Sequence, residues 1–264
     1  MSTEIKNSTN KKVHYEYNRI ADRKRVDFIS DVLKTFPSVA KVLDVGCGNG
    51  VISRHLGRMG YDVLGIDVSD KTIENARAID PMPNVKFMKK SAEELVASGE
   101  KYDIVICSEV LEHLSDPGKL LTVLYDTIAD NGKLIVTVPN GRGPRETFVT
   151  KPILRMRKKN NWLWRFISKI KSGMGYKGTT VQSAADNLDH IQFFSKSDLE
   201  KLSAEHKFKI TRFGKANFIE DVFPFSFFTK KIPFLQKVDC KVADILPTRF
   251  TGGFFSVWEK YDYK

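Results

Sequence analysis

The 264-residue chain is predicted to fold as an α/β protein around a doubly wound, mostly parallel sheet, and three observations carry that expectation. Short apolar runs recur at 42–45, 61–66, 85–88, 102–107 and 133–138, with stretches of helical spacing between them. Strands buried on both faces read as such runs, and their alternation with helices specifies a sheet covered on both sides. Glycines occupy alternate positions at the end of the first run, Gly46, Gly48 and Gly50. An acid, Asp67, closes the second run.

A polar arm and the start of a first helix are expected over 1–24 and a ligand-binding core over 25–140. In that core Val42-Leu43-Asp44-Val45 is the first strand and 51–59 the helix after the glycine turn. Glycines let the chain turn sharply and let a ligand lie against bare backbone. Asp67 follows Gly46 by about 20 residues at the end of the next strand, which places it to bind a ribose diol. The spacing is G-x-G-x-G rather than the G-x-G-x-x-G of a pyrophosphate site, and Asp44 adds negative charge. That combination suits a ligand carrying an ammonium or sulfonium. The third strand, Val85-Lys86-Phe87-Met88, leads into the loop Ser91-Ala92-Glu93-Glu94-Leu95. The fourth, 102–107, runs into Ser108-Glu109-Val110-Leu111-Glu112-His113. A helix over Leu120 to Ala129, a turn at Asn131-Gly132 and the strand 133–138 complete the core.

These motifs resemble class I S-adenosylmethionine-dependent methyltransferases, over roughly residues 20 to 140. The resemblance implies a seven-stranded sheet closed by an antiparallel pair, and Phe208–Phe213 and Gly253–Trp258 read as that pair. It implies S-adenosylmethionine as cofactor, lying across the strand ends where Gly46, Asp67 and Ser108 fall. Asp44, Cys47, Gly48 and Val68 line the turn and the ribose, and Ala92 and Glu93 stand beside the adenine. The family often has an acid where this chain has Ser91. Arg25, in Arg25-Val26-Asp27-Phe28-Ile29, matches the segment whose arginine reaches the methionine carboxylate; a surface role beside Arg23 and Lys24 is the other reading.

Chemistry is expected at Glu109-x-x-Glu112-His113. On a helix these residues stand at i, i+3 and i+4 and share a face. Two carboxylates and an imidazole together are costly unless a cation or proton joins them. Oxygen-rich donors with one nitrogen favour Mg²⁺ or Mn²⁺, with Zn²⁺ or Fe²⁺ second. The alternative has the carboxylates flanking a helix start and His113 acting as general base. A later His190 precedes a helix start, where Ser197-x-x-Glu200 fits a capping box. E-x-x-E-H followed by such a histidine resembles two families. One is the ubiquinone-biosynthesis O-methyltransferases; the other is the small-RNA 3′-terminal 2′-O-methyltransferases, where two Glu and two His hold a divalent ion. By resemblance Glu109, Glu112, His113 and His190 are metal candidates, and His113 and Glu112 the catalytic pair. Asp116-Pro117 and the insertion before His190 lean towards the quinone-pathway enzymes. Pro139-Asn140-Gly141-Arg142-Gly143-Pro144 looks more like small-molecule and glycolipid-associated methyltransferases.

The reading is therefore O-methylation of a hydroxyl on a small-molecule or lipid-linked acceptor, with metal assistance open. An RNA 2′-O-methyltransferase and a non-catalytic S-adenosylmethionine-binding protein at a membrane are the alternatives. Charge bears on that choice. Net charge is +11, and nine Lys or Arg with no acid fall between Lys151 and Lys177, leaving about +2 elsewhere. Trp162, Trp164, Phe166, Ile167 and Ile170 interleave with those cations in an insertion spanning 141–194. A lid over the site, a helix docked on an anionic membrane and a nucleic-acid clamp are the three readings, in that order. The remainder, 195–264, completes the sheet, and its Phe-rich stretch from Phe218 to Phe250 reads as packing over the sheet edge, or as a greasy substrate wall or second membrane contact adjoining the 151–177 insertion. Three cysteines without metal or redox spacing, no apolar leader and no membrane-spanning run predict a cytoplasmic protein, with peripheral contact at the inner face of the membrane through 151–177. Oligomeric state is left open.

Overall fold

A computed structural model describes residues 15–96, 99–158, 190–222, 225–229 and 232–261. Seven strands form one sheet in the order β3-β2-β1-β4-β5-β7-β6. They are β1 (Lys41–Val45), β2 (Asp62–Asp67), β3 (Val85–Lys89), β4 (Tyr102–Ser108), β5 (Ile128–Pro139), β6 (Phe208–Lys215) and β7 (Gly253–Lys260). The first five pair in parallel, and β7 runs antiparallel between β5 and β6. β2 and β3 lie on one side of β1 and β4 on the other, so the winding reverses between β1 and β4. A ligand crevice opens at such a reversal, beyond the carboxyl ends of the strands.

Both sheet faces are apolar because successive side chains alternate in direction while nearly all of them are hydrophobic. Val42, Ile104, Ile106, Ile135 and Val257 face one helical layer. That layer is α1 (Ile20–Leu33), α2 (Val51–Arg58) and α3 (Asp70–Ala78), through Ile29, Leu33, Leu56 and Ile73. Leu43, Val45, Val105, Cys107, Leu134, Val136 and Trp258 face the other. Here α4 (Ala92–Val96), α5 (Pro117–Thr127) and α7 (Lys196–Glu205) supply Leu95, Leu121, Leu124 and Leu199. Cys47, Cys107 and Cys240 are buried free thiols.

Three expectations about local structure are corrected. The helix expected over Leu120 to Ala129 spans Pro117–Thr127, capped by the Asp116 side chain, which accepts from the Lys119 N–H. The capping box before α7 is Ser195 with Asp198, two residues earlier than Ser197 with Glu200; the Ser195 N–H donates to Asp198 Oδ2 at 2.8 Å. The third correction falls on Glu109-x-x-Glu112-His113, which does not form an α-helix. Glu109 has φ +57°, and only Leu111–His113 form a single 3-10 turn. These residues therefore share no helical face.

After β5 the chain makes a π-helical turn, Glu146–Thr150, and continues as α6 (Lys151–Lys158). Most of the basic-aromatic stretch, with Trp162 and Trp164, lies outside the described residues, as does the polar arm at 1–14. No described helix is long and apolar enough to cross a membrane. Between β6 and β7 lie α8 (Phe225–Thr229) and α9 (Pro233–Ile245). Packing over the sheet edge does not account for their phenylalanines: Phe225, Phe228 and Phe234 are exposed.

Candidate functional site

The glycine turn is built at the end of β1. Gly46, Gly48 and Gly50 all take positive φ, 67°, 55° and 76°. A Cβ at Gly46 would meet Val110 Cγ2 at 2.5 Å, so the turn needs glycine twice over, for its dihedral and for its space. The turn's amides bind the next strand: the Cys47 N–H donates to the Ile66 carbonyl at 2.9 Å, and the Gly48 N–H to Asp67 Oδ2 at 3.1 Å. The Ser69 N–H donates to Asp67 Oδ1 at 2.9 Å, fixing the carboxylate from both sides. Val68, just beyond, is exposed. Farther along the same rim Ala92 is buried and Glu93 exposed at the start of α4. The Ser91 N–H donates to Glu94 Oε2 at 2.7 Å, so Glu94 caps its own loop.

Asp44 sits under the turn, buried, and accepts from Ser53 Oγ at 2.6 Å. Burial, with the Asp67 charge adding to it, pushes its carboxyl up to about 7. Ser108 is also buried, and its hydroxyl pairs with Thr137 Oγ1 at 2.8 Å. Thr137 Oγ1 in turn lies 3.1 Å from Glu109 Oε1. Arg25 is buried over the Tyr17 ring, 3.2 Å from Asp22 and 3.4 Å from Glu109. Ser108, Thr137, Glu109 and Arg25 thus form one polar chain between α1 and the ends of β4 and β5. A cleft beside it is lined by Arg25, Glu109, Arg145, Asn217 and Asp221.

Among the described residues, Glu112, His113 and His190 each place one donor atom within 4.8 Å of the others. His113 Nε2 is 3.8 Å from Glu112 Oε1, and the two imidazoles meet edge to face at 5.2 Å. The pairing across more than seventy residues is made by backbone. The Glu112 carbonyl accepts from the Ile191 and Gln192 N–H groups at 2.8 and 2.9 Å. Gly141 fits against the same segment: its N–H donates to the Phe194 carbonyl at 2.7 Å, and a side chain there would strike the Phe193 backbone. Glu109 stands apart from the three-residue group, held by Arg25.

Glu146, which the sequence did not single out, completes the arrangement. It is fully buried, with Oε1 3.3 Å from His190 Nδ1. Neither oxygen of Glu146 or of Glu112 has a hydrogen-bond partner. Buried carboxylate oxygens are ordinarily satisfied, and leaving them bare costs on the order of 1–3 kcal/mol or more each. Burial and the Glu109 charge hold Glu112 well above the usual carboxylate range. Burial, then His190, lowers His113, which keeps it neutral. A divalent cation fits this donor set: carboxylate oxygens without hydrogen-bond partners, beside two imidazoles.

Such a sheet, with a glycine turn and an acid held at its switch point, is that of the class I S-adenosylmethionine-dependent methyltransferases. Residues 15–212 match the family model described as methyltransferase domain, and the chain belongs to that family. Among curated proteins it is 39% identical over 102 residues to the ubiquinone biosynthesis O-methyltransferase of Sinorhizobium fredii, covering 38% of this chain and 41% of that protein. The human mitochondrial protein of the same name is 37% identical over 131 residues, 44% of this chain and 36% of its own. The chain thus spans less than half the length of these relatives. Solved structures share the fold at lower identity. Magnesium protoporphyrin IX methyltransferase from Synechocystis with bound SAH superposes with a TM-score of 0.53 at 20% identity, covering 91% of this chain and 84% of that one. A putative sarcosine dimethylglycine methyltransferase from Galdieria sulphuraria gives 0.59 at 15%, covering 91% and 86%.

Proposed function

We propose that this chain transfers the methyl group of S-adenosylmethionine to a hydroxyl on a small-molecule or lipid-linked acceptor, assisted by a divalent cation at Glu112, His113 and His190. The observation that carries the reading is the gathering of those three residues, with Glu146 behind them, at the carboxyl end of β4 and beside the switch-point crevice. The ubiquinone O-methyltransferase relatives, matched over 38% and 44% of this chain, support a hydroxyl as the acceptor.

In this mechanism the cofactor lies across the turn at Gly46, Cys47 and Gly48, whose backbone leaves room for it. Asp67, already oriented by two N–H donors, takes the ribose diol, and Ala92 and Glu93 flank the adenine. Arg25, packed over the Tyr17 ring, presents its guanidinium to the methionine carboxylate. Glu112, His113 and His190 would hold a divalent cation, which would supply Lewis-acid stabilisation of the acceptor's oxyanion. Glu146 lies against His190, with Oε1 3.3 Å from Nδ1, and helps to position that ring. Where no cation is held, the neutral His113 takes the hydroxyl proton as general base; where one is held, the acidified hydroxyl gives that proton to water. The acceptor's oxygen then forms the new C–O bond as the S–C bond breaks, leaving S-adenosylhomocysteine. Catalysis rests on placing oxygen, methyl and sulfur in line and on lowering the hydroxyl's pKa.

The test is incubation of the protein with methyl-labelled S-adenosylmethionine and a cell extract, with and without chelator, followed by partition. Label in the organic phase that disappears with chelator is the expected result. Chelator-resistant label, or label in the RNA fraction, would overturn the cation or the acceptor class respectively.

A further inference from the structure

The helix α9 is amphipathic the wrong way round for a helix resting on a protein core. Its buried residues are Gln236, Asp239, Cys240 and Ala243. Two of these satisfy backbone of neighbouring segments. Gln236 Oε1 accepts from the Ile20 N–H at 2.9 Å and its Nε2 donates to the Thr229 carbonyl at 2.9 Å. Asp239 accepts from the N–H groups of Phe218 and Ile219 at 2.8 and 3.0 Å. The outward residues are Phe234, Val238 and Ile245, which are 69%, 40% and 86% exposed. At about 100° per residue, Phe234, Val238, Lys241 and Ile245 fall within roughly 60° of one another, and Lys237 flanks them. On α8, Phe225 and Phe228 extend the apolar surface. A helix resting on a protein core normally turns its apolar stripe inward.

We infer that α8 and α9 form a docking surface for an anionic lipid bilayer. An apolar ridge flanked by lysines is the pattern of a helix that lies in the interface, its ridge among the acyl chains and its ammonium groups at the phosphates. The charge on this face is of one sign. Lys237 and Lys241 are exposed, Asp239 is turned inward, and Asp244 is occupied by Lys24 at 2.7 Å. Arg249 adds a further exposed cation, over the Phe250 ring. That charge also argues against a second copy as the occupant. A two-fold contact sets the same patch against itself, which would bring Lys237 and Lys241 against their own counterparts. These residues are distinct in the sequence from the basic stretch at 151–177. α9 packs on α1 through Ile20 and Lys24, and Arg25 of α1, with Arg19 just before it, stands in the wall of the cleft. Docking there would set the cleft beside the bilayer.

The experiment uses the full chain and extruded vesicles of phosphatidylcholine with and without roughly a third phosphatidylglycerol. Partition is read by co-sedimentation. Because the native cysteines are buried, an Ile245→Cys variant takes an environment-sensitive fluorophore selectively. We expect sedimentation and a blue shift with the anionic vesicles and little of either with the neutral ones. The Lys237→Gln/Lys241→Gln pair should weaken partition roughly thirtyfold, about fivefold for each lysine lost near the surface. Phe234→Ser should weaken it as well, with S-adenosylhomocysteine affinity and melting temperature unchanged in both variants. No sedimentation of the wild type, wild-type partition in both variants, or a label at 245 that stays in water while the protein sediments would each overturn the inference. So would a solution dimer that Phe234→Ser converts to monomer, since a second copy would then be the occupant.

Discussion

Glu112→Gln separates a cation site from a merely crowded cluster. The substitution keeps volume and burial but replaces a carboxylate whose two oxygens have no hydrogen-bond partner. With metal stripped, both proteins bury one polar group at this position, so their melting temperatures should agree within about 2 °C, a fraction of the shift that a single-site change can produce in a chain this long. Adding Mn²⁺ then divides them. A ligand that binds only the folded state at about 100 times its dissociation constant stabilises by about 2.7 kcal/mol. Unfolding entropy near 2.1 cal/mol/K per residue is about 0.55 kcal/mol/K for a chain of this length. The wild type should therefore rise by about 5 °C, and Glu112→Gln by little or nothing. Calorimetry or dye-based melting on chelator-stripped protein reads both, with the exposed Asp116→Asn as a control that retains the shift. If Glu112→Gln keeps the Mn²⁺ shift, the ion binds elsewhere. If the wild type has none at millimolar Mn²⁺, the bare carboxylates are not a cation site.

His113→Ala should abolish turnover and leave S-adenosylhomocysteine affinity within about twofold by calorimetric titration, since the imidazole faces Glu112 and His190 rather than the glycine turn; a lost cofactor affinity would sink the role assigned to it. Asp67→Asn should weaken S-adenosylhomocysteine at least tenfold, the loss of about 1.4 kcal/mol expected from a charged acceptor on a ribose diol. Asp44 predicts a pH dependence. Its carboxyl is pushed up from an ordinary aspartate value to about 7 by burial. The folded state therefore holds a proton that the unfolded chain releases, and stability falls as pH rises from about 4 to about 7, by up to about 1.4 kcal/mol per unit. Asp44→Asn should remove that slope in urea unfolding at pH 5 and 7.5; an unchanged slope would place its source elsewhere.

The parts of the site written in short sequence windows were legible. The strand β1, the glycines and Asp67 lie within some twenty residues, and the physics there is local: backbone dihedrals, a tight turn, and an acid at a strand end. The strands themselves followed because each apolar run had few ways to be buried. Boundaries were less secure. Ser197 with Glu200 fits a capping box as well on paper as Ser195 with Asp198, and only the course of the incoming chain selects the second. The E-x-x-E-H spacing suggested a helix, but the chain leaves β4 through Glu109 at φ +57°, which swings that carboxylate to Arg25 and away from Glu112.

By itself the sequence determined the fold class, the glycine turn at the end of β1 and the residue types that follow β4. The tertiary structure decided their company. Glu146 and His190 stand 44 positions apart and carry no shared periodicity; they meet because Phe194 binds Gly141 and the backbone at Ile191 binds Glu112. In the same way, hydrophobic spacing marks a stripe on α9 but not the direction it faces. Gln236 and Asp239 decide that, since the backbone groups they satisfy lie inside the protein, and the phenylalanine ridge is left to solvent. Local propensity is a property of neighbours along the chain, whereas a buried polar group must be satisfied by whatever the fold brings to it.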